Sequence, residues 1–328
     1  MSPFRILSAA IAAEICLASV VVAGLGLAGA VNGWLDLINC SAPLLIATGL
    51  VGAAATAAAW PKSRFRAVCV AAGLAAALYG AAISLPDAAG WLFGPGKATG
   101  VAYRVVTANV FRDNWSPFRA VKAVLDRGGD AVIVEEADGT AQSAVTQVLS
   151  GAYPYSTACP DAGVEIRLKT PILAQGCGMT MPTGSYQTWG RDFVWVRTQG
   201  PDGRPIVLAG IHLGRPYPPE RQVVERQALA AALASMTGSR VLVAGDLNTA
   251  PPTFGMRHLD SLLRPLTRRS FWLPTYPGLI GVTHKGWAIP LLPIDHVYAD
   301  SGWSRTKLTR FAIIGSDHYG LQVDAQLR

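Results

Sequence analysis

Residues Arg240–Pro251 read RVLVAGDLNTAP. The apolar run through Ala244, closed by glycine, has the pattern of a strand buried on both faces. Polar residues, Asp246 and Asn248, appear as the strand ends. Alone this decides little, because a strand-terminal Asp or Asn is commonly a turn or cap residue. The same layout recurs along the chain, however. Arg104–Asn109 (RVVTAN) is an expected strand ending on Asn109, and Ala131–Glu135 (AVIVE) is one followed by Glu136. Ile206–Ile211 runs into His212, Ile294–Tyr298 carries Asp295, and Asp317 with His318 (GSDHYG) precedes a strand near Leu321–Gln326. Further strands are expected at Val194–Arg197 and Lys307–Ile313. Helices are expected at Pro117–Arg127, Thr140–Leu149 and Pro219–Ala234. Strands and helices mixed in this way predict an α/β domain around a sheet core.

Strand ends gather at one edge of a sheet. The pattern therefore brings four carboxylates (Glu136, Asp246, Asp295, Asp317), two histidines and two asparagines towards each other. Carboxylates so crowded repel, and a divalent cation held through oxygen ligands, Mg²⁺ or Mn²⁺, answers that repulsion.

The first hundred of the 328 residues are different. They hold five basic and three acidic residues, and the remainder carries a mild, scattered net charge of +5 out of the chain's +7. That excess suits an anionic substrate or membrane surface and excludes the dense basic stripe of a committed nucleic-acid binder. Three apolar stretches, Ile11–Val31, Ala42–Trp60 and Ala67–Leu85, each have the ~20 residues that cross a bilayer. A cleaved signal peptide accounts for one such stretch, not three. The loop Pro61–Arg66 (PKSRFR) bears three positive charges and Asn32–Ser41 bears none, so the former is expected in the cytoplasm. Three crossings then deliver everything after about Pro86 to the outside. The expected division is an anchor over 1–85, a Gly/Pro/Ala-rich linker over 86–102, with Trp91 and Phe93 at the interface, and a catalytic domain over 103–328. The expected location is the inner membrane, multi-pass, with an extracytoplasmic catalytic domain.

The ordered set TAN, E, HL, GDLN, IDH and SDH resembles the endonuclease/exonuclease/phosphatase (DNase I-like) superfamily over about residues 103–328. The resemblance implies a four-layered α/β sandwich of two packed sheets, here preceded by three transmembrane helices, with the active site at one edge. It implies Glu136 as metal ligand, assisted by Asn109 and Asp317. It implies Asp246 as the group that activates water, Asn248 and Asn109 as phosphate contacts, and His318 as a phosphate donor held by Asp295. His212 is the implied second acid, near the leaving group. The chain departs from the family where Glu135 replaces a usual Gln, where Gly163–Ile172 reads GVEIRLKTPI, and where Gly-Ile precedes His212. Glu135 is expected in a polar network, His296 is expected to be structural, and His258 and His284 match no motif.

The anchored layout is similar to a membrane-bound bacterial branch that includes lipid-diphosphate phosphatases of teicoplanin resistance. A metal-dependent hydrolase of a lipid-linked or small phosphoester is the expected activity. An extracytoplasmic nuclease acting on nucleic acid is the alternative, and a non-catalytic binding domain the second. Arg215, Arg221, Arg226, Arg264, Arg268 and Arg269 would serve a nuclease, whereas apolar Gly286–Pro293 (GWAIPLLP) beside Asp295 would serve a lipid enzyme. Nothing in the sequence points to a protein partner. Cys16, Cys40 and Cys69 sit in or beside apolar runs as small hydrophobes. In an oxidising compartment Cys159 and Cys177 are expected to pair, with two free thiols as the alternative.

Overall fold

The computed structural model describes residues 3–92, 100–159, 161–236, 240–278 and 289–328. Phe93, His284 and Trp287 lie outside them. The chain forms two compact units: 1–89 with 250–258, and 90–249 with 259–328.

In the first unit, α1 (Pro3–Ala28), a short α2 (Gly33–Asp36) with a 3-10 turn to Ser41, α3 (Ala42–Ala59) and α4 (Arg64–Leu92) follow one another. Three helical spans are long and apolar enough to cross a membrane. Their outward residues are apolar too: Leu78 is 71% exposed, with Phe4, Val51 and Leu44 similar. Such a surface suits lipid rather than water. Where helices meet, the residues are small. A Cβ on Gly73 would lie 2.7 Å from the Gly49 carbonyl, and one on Gly52 would lie 3.0 Å from Cys16 Sγ. Close backbone approach is what holds helices together where no hydrophobic effect acts between them. The third helix continues past Pro86 to Leu92 instead of ending at Leu85. One proline removes one backbone N–H, and near a helix end that is tolerated.

The second unit holds two six-stranded sheets. The first runs β11–β12–β1–β2–β4–β3 and the second β5–β6–β7–β8–β10–β9. In chain order the strands are β1 (Val101–Asn109), β2 (Ala131–Glu135), β3 (Tyr155–Ser156), β4 (Val164–Leu168), β5 (Ile172–Cys177) and β6 (Phe193–Gln199). They continue with β7 (Pro205–His212), β8 (Arg240–Asp246), β9 (Thr267–Arg268), β10 (Asp295–Ala299), β11 (Trp303–Ala312) and β12 (Tyr319–Leu327). Helices α5 (Pro117–Leu125) and α6 (Gly139–Leu149) cover the outer face of the first sheet through Val121, Val124, Val145 and Leu149. Helix α7 (Pro219–Ala234) covers the second, where Leu233 and Ala234 share a small cavity with Val241 and Leu263. The element α8 (Phe254–Leu262) was not expected from the sequence.

Alternation along each strand sorts residues between two cores. Val105 and Ile133 point between the sheets with Val164, Ile166, Leu208, Leu242, Ala244, Val297 and Ala299. Val106, Ala108, Val132 and Val134 point to the helices. Fully burying each such Val, Leu or Ile contributes about 1.5–3 kcal/mol. The sheets approach so closely at Gly210 that a Cβ there would lie 2.7 Å from Ile133 Cγ2.

The segment Gly163–Ile172, which departs from the family's pattern, is divided between two strands in different sheets. β4 pairs with β2 in the first, and β5 pairs with β6 in the second. Pro171 lacks a backbone donor, and the chain changes sheets there. A disulfide between Cys159 and Cys177, with Cα atoms 5.5 Å apart, ties the segment before β4 to the end of β5.

Candidate active site

The strand register sets the site. In the first sheet, parallel β1 and β2 place Asn109 beside Glu135. In the second, parallel β7 and β8 place His212 beside Asp246, and antiparallel β10 places Asp295 on the other side of Asp246. Parity then aims the side chains. Asp246 follows Leu242 and Ala244, and Asp295 precedes Val297 and Ala299, on the face between the sheets. The polar cluster is therefore the upper end of the apolar core.

His318 joins the two halves. Ser316 Oγ donates to the Asn109 carbonyl at 2.7 Å and accepts from the His318 N–H at 3.0 Å, which fixes the turn before β12. The imidazole Nδ1 donates to Asp295 at 2.9 Å, and Nε2 lies 3.5 Å from Asp246 Oδ2. Burial opposes a charge on His318, but Asp295 and Asp246 outweigh it and raise its pKa to about 10. His318 is thus an imidazolium at neutral pH. Burial lifts Asp246 to about 6 despite that cation, with Asp295 adding to the rise. In Asp295 burial acts upwards too, but the His318 charge and bond win and hold the carboxyl low. His212 Nε2 stands 3.6 Å from Asp246 Oδ2, with its side chain 18% exposed. Asn248 donates through Nδ2 to the Leu213 carbonyl at 2.9 Å and to Asp246 Oδ2 at 3.3 Å, so its amide also orients that carboxylate.

Glu136 lies at a break in the backbone, with φ at +53°. A left-handed glutamate costs about 1–2 kcal/mol and persists where its surroundings fix it. Here the Ala137 N–H donates to the Gly163 carbonyl at 2.9 Å. Asn109 Nδ2 donates to Glu136 Oε1 at 3.2 Å and the Arg112 N–H to Oε2 at 2.9 Å. Burial raises the Glu136 carboxyl, but the Arg112 N–H bond, His212 and Asn109 more than reverse it and keep it ionised. Asp317 is raised by burial and by Glu136, and its Oδ1 is buried with no hydrogen-bond partner among the described residues.

Two places offer themselves to a cation. Asp246, Asp295 and His318 could each turn one ligand atom to a common point. Their protons, however, already satisfy that group: Nδ1 belongs to Asp295 and Nε2 faces Asp246. The Glu136–Asp317 side has an ionised carboxylate and an orphaned carboxylate oxygen, the hard donors that Mg²⁺ and Mn²⁺ take. The residues present fit a divalent ion there.

Thr275 and Tyr276 carried no signal in the sequence. The Tyr276 ring packs 5.3 Å from that of His318, and Thr275 Oγ1 accepts from the Asp295 N–H at 3.3 Å. The segment around Leu292 pairs with Tyr276, and Leu291 N donates to the Tyr276 carbonyl at 2.8 Å. Leu291 and Leu292 belong to the apolar segment expected beside Asp295. Glu135 is fully buried and accepts from Thr107 at 2.6 Å, while its Oε2 finds no partner among the described residues. Four of the six basic candidates are committed elsewhere: Arg221 to Glu225 at 2.7 Å, Arg268 to Asp260 at 2.9 Å, Arg226 to the Gln222 carbonyl at 3.0 Å and Arg269 to the Asp300 carbonyl at 3.3 Å.

The fold is shared with solved structures of low sequence identity. SmcL is similar over 68% of this chain and 98% of its own, at 17% identity and a TM-score of 0.55. Sphingomyelinase C from Streptomyces griseocarneus covers 68% and 99%, at 17% identity and 0.50. The human Nocturnin catalytic domain, with bound sulfate, covers 72% and 98%, at 14% identity and 0.53. No curated protein matches the sequence. Residues 106–318 match the Endonuclease/Exonuclease/phosphatase family, about two thirds of the chain, and this protein belongs to that family of phosphoester hydrolases.

Proposed function

We propose that this chain hydrolyses a phosphoester presented at a membrane surface outside the cytoplasm, with Mg²⁺ or Mn²⁺ held by Glu136, Asn109 and Asp317. One observation carries the choice of substrate. Ile289 and Leu291 are 77% and 70% exposed, on the segment that pairs with Tyr276 against His318. Each could add on the order of 1 kcal/mol of interfacial partitioning through its apolar area. The three membrane-length helices agree with such a substrate, which is lipid-linked in this reading. The commitment of Arg221, Arg226 and Arg268 to structural partners tells against a nucleic-acid groove, although Arg215 and Arg264 are exposed.

In this reading Asp246 accepts a proton from the attacking water, and its raised pKa makes it a competent base near neutrality. His318 donates Nε2–H to a phosphoryl oxygen while Asp295 holds Nδ1 and keeps the ring charged. Asn248 steadies Asp246 and offers its amide to a second phosphoryl oxygen. His212, the more exposed imidazole, protonates the leaving oxygen. The divalent ion, when bound, neutralises charge developing on the phosphoryl group.

Excess chelator should abolish turnover by the full-length protein, and added Mg²⁺ or Mn²⁺ should restore it. Glu136→Ala should raise the metal concentration that gives half-maximal rate. Replacing Ile289 and Leu291 together with Ser should cut hydrolysis of a lipid phosphoester in vesicles about tenfold. A soluble chromogenic phosphodiester should lose less than twofold. Equal losses on both substrates defeat the membrane reading. Plasmid cleavage without release of lipid phosphate would establish the nuclease instead.

A further inference from the structure

At the bend before β6 stands an acid that the hydrolytic reading does not use. Asp192 is half-buried and is bonded to both sheets. Its Oδ1 accepts from the Gly163 N–H at 2.7 Å, and its backbone carbonyl accepts from the His212 N–H at 2.9 Å. Gly163 immediately precedes β4 in the first sheet, and His212 ends β7 in the second. All three residues lie within the second unit. The fit is close, since a Cβ on Gly163 would lie 3.0 Å from Asp192 Oδ1.

Gly163 in turn carries the Glu136 side of the site. Glu135 and Val164 are the last registered pair of β2 and β4. One step on, the chain turns left-handed at Glu136, and the Gly163 carbonyl accepts from the Ala137 N–H at 2.9 Å. Gly163 is thus held through its N–H by Asp192, and through its carbonyl it holds the Glu136 turn. The disulfide brings this segment near the same strand edge. Cys159 is bonded to Cys177, which pairs with Val194 of β6, two residues after Asp192. The Ala162 N–H donates to the Cys159 carbonyl at 3.4 Å, and the Asp192 bond fixes the next residue.

We infer that Asp192 is a positioning residue that fixes the turn aiming Glu136 and ties it to the strand end presenting His212. A carboxylate outside the ligand set thereby sets the affinity for the divalent ion. The physical reason lies in the backbone of Glu136. A left-handed residue persists only while its surroundings over-determine it, and the Gly163 carbonyl is one of those surroundings. Freeing Gly163 lets the turn relax and draws the Glu136 carboxylate from its place. Asn109 and the Arg112 N–H still hold that carboxylate, so the loss is partial. An ionised acceptor suits the task, because it binds a backbone N–H more strongly than a neutral amide does.

This inference rests on the role given to Glu136 as metal ligand, but its test needs no turnover. Mn²⁺ alone is titrated calorimetrically into full-length, metal-free protein in lipid nanodiscs. Asp192→Ala should weaken Mn²⁺ binding about tenfold. Asp192→Asn, which keeps an oxygen acceptor, should weaken it less than about threefold. Gly163→Ala, which crowds Oδ1, should also weaken binding. Combined with Asp192→Ala it should lose less than the product of the two single losses, because both act on one bond. Hydrogen–deuterium exchange of the metal-free protein should quicken about tenfold at Gly163 and at Ala137 in Asp192→Ala. The β11–β12 hairpin should not change. Unchanged Mn²⁺ affinity in Asp192→Ala, an Asn variant as weak as Ala, or faster exchange confined to Gly163 would overturn the inference. If Asp192→Ala does not accumulate, Gly163→Ala and Asp192→Asn carry the same comparison. Mn²⁺ binding that survives Glu136→Ala would defeat the metal reading, and the spread of exchange from Gly163 to Ala137 would still decide the clamp.

Discussion

The two faces of β10 carry two buried histidine arrangements with opposite protonation. On the face between the sheets, Asp295 holds His318 as a cation, its pKa near 10. On the face towards the outer layer, His296 is kept neutral, its pKa pushed down to about 4 by burial and then by the Arg268 charge. Both rings are hydrogen-bonded at both nitrogens or face a carboxylate, so burial does not distinguish them. The partners do. Carboxylates surround His318, whereas His296 has a carbonyl, a hydroxyl and a nearby guanidinium. One residue apart on a strand, the chain places a functional charge and a structural neutral ring.

The sharpest way to break that contrast is to remove the charge that makes it. Asp295→Asn should cost at least ~10²-fold in rate, since His318 would lose its orienting anion and much of its reason to stay protonated. The alkaline limb of the pH–rate profile should move to lower pH. Thermal stability should fall far less than activity, because the amide still fills the site. A variant with a normal rate and profile would show that the pair is structural after all.

Much of this site was legible because polar residues recur where apolar strands end. Asp246 and Asp295 share the parity of Leu242, Ala244, Val297 and Ala299, which puts them on the face between the sheets. Both strands are buried on both faces, however, and the sequence alone does not choose that face. The parallel β1–β2 and β7–β8 pairs, which level Asn109 with Glu135 and His212 with Asp246, are the common product of strands joined through helices. Other features depend on contacts far apart in sequence. No local pattern shows that Gly163–Ile172 changes sheets, that Tyr276 packs on His318, or that Asp36 caps a helix beginning at Phe254. The helix α8 escaped notice because Pro251 and Pro252 precede it and no outside signal names its cap. His296 was read as structural from its place beside Asp295, but its neutrality follows from burial and the Arg268 charge, which no local pattern shows.

That neutrality gives the second test, smaller than the loss of catalysis. The folded protein holds His296 unprotonated down to about pH 4, whereas the unfolded chain takes up the proton near pH 6.5. Between those values the unfolded state binds more protons, so stability falls as the pH falls. The contribution is fully present above about pH 6.5. It is on the order of 3 kcal/mol and is spent by about pH 4. Denaturant unfolding at pH 7, 5.5 and 4 should show this slope in the wild type and a shallower one in His296→Gln. Parallel slopes would mean that other groups dominate acid unfolding.

The smallest expected effect separates the two faces most cleanly. His296 Nε2 lies 2.9 Å from the Thr249 carbonyl, which can only accept, so Nε2 carries the proton and Nδ1 is a bare acceptor. Ser270 Oγ, 2.8 Å from Nδ1, is therefore the donor, and it also accepts from the Val297 N–H at 3.2 Å. Ser270→Ala leaves a buried ring nitrogen and a buried backbone N–H without that hydroxyl, which costs about 1–3 kcal/mol. Because the hydroxyl serves only the outer face of β10, kcat and the pH–rate profile should stay within twofold of wild type while the unfolding midpoint drops. A comparable loss of rate would mean that the two faces are coupled through β10, most directly through the Thr249 carbonyl that His296 holds beside Asn248. Asn248→Ala combined with Ser270→Ala would then show non-additive losses, whereas independent faces give losses that simply multiply.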